Sequence, residues 1–240
     1  MHDKDAGVID TGNTVRRWIT YIAGIYILTM GLSLAVRAGI GISPQSSLTR
    51  TMTLVVPRLS QGNFNLMLEV IALLATFAVR PREFKAGNLL SLVPALILAV
   101  LLDFNLRHTA WLTLGAYPAK VALLFAADAM LAFGLFLMIR ANLVLMPIDM
   151  FVNTVQRVTG RKWGNIKTVF DCTLLALSAS IGVIFLGAPH FIREGTILNA
   201  ILVGQYVKIY FFLYRRYTVR RRSSEPPKPV AGSAVRGGEE

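Results

Sequence analysis

Apolar residues in this chain fall into six long blocks, which are separated by shorter polar stretches. Each block is close to the roughly 20 residues that a helix needs to cross a hydrocarbon core about 30 Å thick. In lipid, backbone polar groups must be hydrogen-bonded within the protein, so these blocks are expected to be helices. The pattern therefore predicts transmembrane helices near residues 18–36, 61–79, 87–104, 116–139, 164–186 and 195–214.

A sequence repeat relates the two halves of the chain. The segment GLSLAVRA at 31–38 recurs as GLFLMIRA at 134–141, and the match continues in nearly the same register. It pairs Pro44 with Pro147, Thr51 with Thr154, Gly62 with Gly164, Asn63 with Asn165, Glu69 with Asp171 and Gly87 with Gly195. So many matched steps indicate an internal repeat rather than chance.

Three predicted spans separate the matched arginines Arg37 and Arg140. Because that number is odd, the second half should cross the membrane in the opposite sense. The sequence therefore predicts an all-α membrane protein with its transmembrane helices in two inverted three-helix repeats, each with a short half-helix. The first membrane repeat covers 18–115 and the second, inverted repeat covers 116–215. Inverted repeats recur in secondary transporters, whose site lies near the midplane, but they also occur in channels.

Each predicted half-helix lies between the first two spans of its half, at 42–60 and 145–163. Pro44 follows Ser43, Pro147 follows Met146, and proline suits the first position of a helix. Half-helices of about 10 to 14 residues that enter the protein from opposite faces would point N–H donors at a central cavity. That arrangement would favour an anionic or hydrogen-bond-accepting solute. The alternative is that both are amphipathic helices on the membrane surface.

Acidic residues within the predicted spans are further candidates, because an ionisable group inside a bilayer costs at least ~2.5 kcal/mol and is usually paired or functional. For the matched residues Glu69 and Asp171, two roles stay open: structural pairing with an arginine, or direct contact with a solute or proton. Asp128 aligns with Ile25, so it has no acidic counterpart in the first half. The solute-binding or gating candidates are Arg37, Ser43, Pro44, Glu69, Asp128, Arg140, Pro147, Asp149, Asp171 and Asn199.

Lysine and arginine residues predict the orientation of the chain, since they favour cytoplasmic loops. Most of them fall near the N-terminus, in the loops after the second and fourth spans, and in the C-terminal tail. Both ends, 1–17 and 216–240, are therefore expected in the cytoplasm, the latter as a basic, disordered tail. The formal net charge of +12 mainly sets this topology, so membrane lipids rather than nucleic acid are the expected partners.

Composition agrees with a membrane protein, since 54 % of the residues are hydrophobic and 16 % are charged, against about 25 % charged in soluble domains. The single cysteine, Cys172, lies within a predicted span, and His2, His108 and His190 are scattered. Neither pattern has metal-ligand spacing, so no metal or cofactor is expected. The chain is not expected to be an enzyme, because no Ser/His pair, His cluster or paired catalytic aspartates appears at membrane depth.

Three sequence elements resemble those of a bacterial membrane protein family. They are GISP at 41–44, Gly62-Asn63 at the start of the second span, and EGTILNAILVG at 194–204. Over about residues 15 to 215 the chain resembles the YczE/YyaS/YitT-type integral membrane proteins. The resemblance implies a multi-pass protein of the bacterial cytoplasmic (inner) membrane and gives little on substrate. The second half departs from the pattern, because Met146 replaces the serine that could cap its half-helix.

Three classes of function stay open. The repeat, the paired half-helices and the intramembrane acids favour a transporter or exporter of a small organic solute, an anionic one among the options, with its site between the repeats. The alternative is a non-transporting accessory or receptor protein that binds a partner or lipid. An intramembrane enzyme has the least support, and a homo-oligomer is compatible with each class.

Overall fold

The computed structural model describes residues 13–224, with side chains described as far as Thr218. This part of the chain forms helices joined by short connections and contains no strand. The helices are α1 (Thr14–Ala38), α2 (Pro44–Val55), α3 (Gln61–Val79), α4 (Leu92–His108), α5 (Tyr117–Ala141), α6 (Pro147–Thr159), α7 (Trp163–Leu186) and α8 (Glu194–Ser224). A 3-10 turn at Ala86–Ser91 leads into α4.

Six of these helices are long and apolar enough to cross a membrane, namely α1, α3, α4 with its 3-10 turn, α5, α7 and α8. This confirms the all-α prediction with six spans. The two short helices, α2 and α6, have 12 and 13 residues and begin at Pro44 and Pro147, as the sequence predicts. The order of one long helix, one short helix and two long helices therefore occurs twice.

The ends of the two first helices, α1 and α5, are built alike. Ala38 is followed by Gly39 with φ of 67°, and Ala141 is followed by Asn142 with φ of 44°. Both C-cap residues adopt the left-handed conformation, which ends an α-helix and which Gly and Asn tolerate best. The matched residues of the sequence repeat thus end matched helices.

The C-terminal helix is longer than predicted. The sequence analysis places the end of the last span near Tyr214 and a disordered tail at 216–240, but α8 continues to Ser224. The segment from Arg215 to Ser224 has no glycine or proline to end a helix, and arginine has a high helix propensity. Helix α1 likewise begins inside the predicted tail 1–17. The remaining tail residues, 1–12 and 225–240, lie outside the described residues.

The core is a close, antiparallel pair formed by α1 and α5. A Cβ atom placed on Gly31 would lie 2.6 Å from the backbone nitrogen of Leu131, and one on Gly134 would lie 2.5 Å from that of Leu28. Small residues allow such close approach of membrane helices. At the N-terminal end of α1, the Nε atom of Arg17 donates to the carbonyl oxygen of Ala141 at 3.0 Å.

The other helices surround this pair. In each half the last helix packs against the first, so α4 lies on α1 and α8 lies on α5. Each short helix instead packs against a long helix of the other half, α2 against α7 and α6 against α3. Helices α7 and α8 are the most exposed spans: 17 % and 11 % of their apolar windows are buried, against 39 % to 44 % in the other four.

Candidate functional site

Glu69 joins the N-terminal ends of the two short helices. It is the ninth of the 19 residues of α3, and only 2 % of its surface is exposed. Its Oε2 atom accepts from the backbone nitrogen of Ile148 at 3.1 Å, and its Oε1 atom accepts from Nε2 of Gln45 at 3.3 Å. Gln45 and Ile148 are the second residues of α2 and α6. One carboxyl group halfway along α3 therefore contacts both short helices.

The local sequence explains why α6 uses a carboxyl group from another helix. The first N–H groups of a helix have no partner within it. Met146 has no oxygen to offer at the N-cap, and Pro147 has no N–H, so Ile148 carries the first donor. Glu69 accepts from that donor and also places its carboxyl group at the positive end of the helix dipole. Helix α2 has its own cap, since the side chain of Ser43 accepts from the backbone nitrogen of Ser46.

Further polar groups surround Glu69. Asn65 lies one turn earlier on α3, is 3 % exposed, and accepts from Nε2 of Gln45 through Oδ1 at 2.9 Å. The Nδ2 atom of Asn65 is buried and has no hydrogen-bond partner. Asp149 lies in the first turn of α6 close to Glu69. We call Gln45, Asn65, Glu69 and Asp149 the Glu69 cluster.

Side chains of both charge signs lie next to the Glu69 cluster. Lys167 on α7 forms an ion pair with Asp171 one turn later, with 2.6 Å between Nζ and Oδ1. The ammonium group of Lys167 is also close enough to the carboxyl group of Asp149 for the opposite charges to attract. Asp171, the residue matched with Glu69, thus pairs within its own helix and does not reach the end of a short helix in the same way.

Hydroxyl groups attach α2 to α7. The Oγ atom of Ser178 lies 3.0 Å from Oγ of Ser47 and 3.0 Å from Oγ1 of Thr51, and all three side chains are buried. These contacts bring the first half's short helix against a long helix of the second half. They hold α2 beside the Glu69 cluster, although Ser178 itself is not part of it.

The two matched arginines do not pair with the matched acids among the described contacts. Arg37 donates through Nη2 to the carbonyl oxygen of Leu106 at 2.5 Å and through Nε to Oγ1 of Thr109 at 3.4 Å. The guanidinium carbon of Arg140 lies 4.4 Å from the ring centre of Tyr214. Each arginine therefore connects the first helix of its half to the last one. Glu69 is bound by neutral donors, not by an arginine.

Asp128 lies away from the Glu69 cluster, between α5 and α8. It is fully buried, and its Oδ1 atom accepts from Nδ2 of Asn199 at 2.6 Å. Two residues that the sequence singled out separately, one in the fourth span and one in the sixth, are thereby brought together.

Sequence reasoning missed one acid within the predicted spans, Asp103 near the end of α4. Its carboxyl group accepts from the hydroxyl of Ser60 and from the backbone nitrogen of Gly62, the latter at 2.8 Å. It thus caps the start of α3 from a neighbouring helix. The sequence signal that could have identified Asp103 is its position within the third apolar block. Gln45, Asn65 and Ser178 were missed because nothing marks them locally. Among residues 13–224, no group of three or more His, Cys, Asp and Glu side chains is arranged to hold a metal ion.

The six apolar helices and the absence of any strand in the described part define an all-helical, multi-pass membrane protein. Sequence comparison assigns it to a family. A model of DUF6198, a family of unknown function, matches residues 15–211, and the chain belongs to that family. It is also 25 % identical over 205 residues to the uncharacterized protein YyaS of Bacillus subtilis (strain 168), covering 84 % of this chain and 95 % of that protein. No solved structure matches the chain.

Proposed function

We propose that this protein is a transporter of a small polar solute in the bacterial cytoplasmic membrane, with both termini in the cytoplasm and its solute site at the Glu69 cluster. The observation that carries the proposal is the contact of one buried carboxyl group, on Glu69, with the N-terminal ends of two short helices. Short helices that end near the midplane, at the interface of two repeats, are a recurring plan for transporter sites.

An inverted relation between the halves supports this proposal. Helices α1 and α5 match in sequence and run antiparallel: Arg17 near the start of α1 donates a hydrogen bond to Ala141, the last residue of α5. A Cβ atom on Gly24 would lie 3.0 Å from the carbonyl oxygen of Gly134, and one on Gly31 would lie 2.8 Å from that of Ala127. The repeat pairs Gly31 with Gly134 and Gly24 with Ala127, so each contact is the counterpart of the other. A twofold axis in the membrane plane would produce this pattern.

The positions of the short helices favour the re-entrant alternative over the interfacial one. Both begin beside Glu69, halfway along α3, and their C-terminal ends lead into the starts of α3 and α7. In an inverted repeat those starts lie on opposite faces. Each short helix would then run from the middle of the protein to one membrane face.

The groups in the cluster indicate the chemistry of the solute. The N-terminal end of α6 already has a carboxylate partner, so its positive end is not free for an anion. Glu69 and Asp149 would instead favour a hydrogen-bond donor or a positive charge, while the unpartnered Nδ2 atom of Asn65 needs an acceptor. We therefore propose a small solute that carries both kinds of group, such as a zwitterion or a polar amine, rather than a simple anion.

A ligand screen followed by flux measurement tests the proposal. Purified protein would be screened by thermal shift against small amines, zwitterions and organic anions, and each stabilising compound would be tested for uptake into sealed proteoliposomes. Glu69→Gln should lose most binding and flux, since it removes the charge but keeps an oxygen for Ile148. Glu83→Gln, an exposed loop residue, is the matched control. Unaltered binding by Glu69→Gln, or ligands that bind without crossing the membrane, would reject the proposal.

The accessory or receptor alternative also has an observation in its favour. The exposed surface of α7 carries the small or polar side chains of Thr168, Cys172 and Ser180 within a predicted span. Such side chains are common where membrane helices meet a partner. A protein of this class would bind its partner without any solute flux in the same proteoliposomes.

A further inference from the structure

Asp128 is the twelfth of the 25 residues of α5 and therefore lies close to the centre of a span. None of its surface is exposed. Its Oδ1 atom has one described partner, the side-chain amide of Asn199, and its Oδ2 atom is buried without a hydrogen-bond partner. A charged carboxylate in this position would lack most of the donors that it has in water.

Apart from Glu194, which is exposed at the start of α8, the other acids in the apolar helices have different partners. Asp103 accepts from a hydroxyl and a backbone N–H, and Glu69 accepts from a backbone N–H and a side-chain amide. Asp171 has the ammonium group of Lys167. Within the described part of the chain, Asp128 is the one of these four acids with a buried, unpartnered oxygen.

No described ion pair supplies a positive charge to Asp128. On α1, Arg17 and Arg37 donate to carbonyl groups at the ends of α5 and α4, and the hydroxyl of Tyr21 donates to Val144. On α8, Tyr210 donates to Ala129, Glu194 accepts from Tyr117, and Lys208 is exposed. On α5 itself, Lys120 lies near the N-terminal end and Arg140 contacts Tyr214 at the other end.

We propose that Asp128 is a proton-binding site, in which Asn199 holds a carboxyl group that takes up and releases one proton. An ionised carboxylate is very costly to bury without a countercharge, and binding a proton removes that charge. A metal cation fits less well, because such ions take several oxygen ligands and Asp128 offers one free oxygen.

The sequence repeat shows that this pair belongs to the second half alone. Asp128 matches Ile25, which is fully buried in α1, and the segment GTILN at 195–199 matches GNLLS at 87–91. Asn199 therefore matches Ser91. In α1 the matched position is filled by the apolar Ile25, so helix packing at this position does not by itself require an acid such as Asp128. The proton-binding site at Asp128 depends on the transport proposal only for its role in the cell. In that role the proton would drive solute transport or be exchanged for the solute.

Infrared difference spectroscopy of the purified protein between high and low pH tests the site directly. The wild type should show the carbonyl band of a protonated carboxyl group that disappears as pH rises. Asp128→Asn should remove one component of this band, that of Asp128, while keeping the unfolding temperature within a few degrees, because an amide resembles the neutral acid. Asp171→Asn, whose carboxylate is paired with Lys167, should keep the band. A spectrum that is unchanged by Asp128→Asn would overturn the proposal.

A second variant keeps the proposal testable if Asp128→Asn does not fold. Asn199→Ala removes the described donor to the carboxyl group, so it should move the loss of the band to higher pH. A band that titrates as in the wild type would overturn the proposal. In proteoliposomes with an identified solute, Asp128→Asn should lose the effect of a pH gradient but keep solute exchange, whereas Glu69→Gln should lose both. Absence of flux in the wild type would reject transport, and the infrared result would still decide the proton site.

Discussion

Helices α3 and α4 of the first half pack closely against each other, whereas the described residues of the matching helices α7 and α8 show no comparable packing. A Cβ atom on Gly62 would overlap the carbonyl oxygen of Ala99, but one on the matched Gly164 would meet nothing within 4 Å. The halves therefore share their order of helices but differ in how their last two spans associate.

The difference has a cause in the sequence. Asp103 of α4 binds the first turn of α3, and the register that matches Gly87 with Gly195 places Phe211 at the corresponding position of α8. Phe211 packs on Phe136 of α5, with 5.1 Å between ring centres. In both halves the last helix packs on the first, but only the carboxyl group of Asp103 also binds the start of its neighbour, so the aromatic ring at the matched position leaves the start of α7 without that contact.

Alanine substitution of the two matched glycines should show the largest contrast between the halves. Gly62→Ala should destabilise the protein by about 3 kcal/mol, since overpacking costs about 1–3 kcal/mol and the atom that is met here belongs to the backbone. Gly164→Ala should be neutral or slightly stabilising, because alanine favours a helix by up to ~1 kcal/mol over glycine. Thermal unfolding in detergent measures both. Equal effects would mean that α7 and α8 are as closely packed as α3 and α4.

Removal of the Asp103 carboxyl group should have the next largest effect. Asp103→Ala leaves the hydroxyl of Ser60 and the N–H of Gly62 without their acceptor, which should cost about 2 kcal/mol. Asp103→Asn keeps one oxygen and should lose clearly less. The comparison uses the same unfolding assay. If Asp103→Ala were as stable as the wild type, this carboxyl group would not hold α3 and α4 together.

The smallest contrast concerns Ser178 and its matched residue Thr76. Ser178 contacts hydroxyl groups of α2, whereas Thr76 donates to Ala72 in its own helix at 2.8 Å. Ser178→Ala should therefore cost about 1 kcal/mol, a usual value for hydrogen bonds between membrane helices, and Thr76→Val should cost clearly less. Unfolding temperatures of the two variants provide the test, and a larger loss for Thr76→Val would contradict it.

Features that depend on local sequence were predictable. Apolar block length identified the six spans, and Pro44 and Pro147, which suit the first position of a helix, identified the starts of α2 and α6. The replacement of serine by Met146 correctly indicated a missing hydroxyl cap. Each of these properties is determined within a single helix or at its start, so the neighbouring helices do not need to be known.

Contacts between distant segments were not predictable in the same way. Asp103 and Gly62 are 41 residues apart, and Ser47 and Ser178 are 131 residues apart. Their pairing depends on how the helices pack. Glu69 illustrates the same limit: its place in a span marked it as a candidate, but its partners are a backbone N–H and a glutamine, which no charge pattern indicates.

The core contact between α1 and α5 has a consequence for how the protein is made. The glycine face of α1 is complete once Ala38 has been added, but its partner is complete only at Ala141. At about 5 to 20 residues per second, ribosomes need roughly 5 to 20 s to synthesise the intervening chain. During that interval α1 has only lipid, the insertion machinery or the three intervening helices to cover its glycines. A nascent chain released before α5 would therefore lack its core, even with three of its six spans inserted.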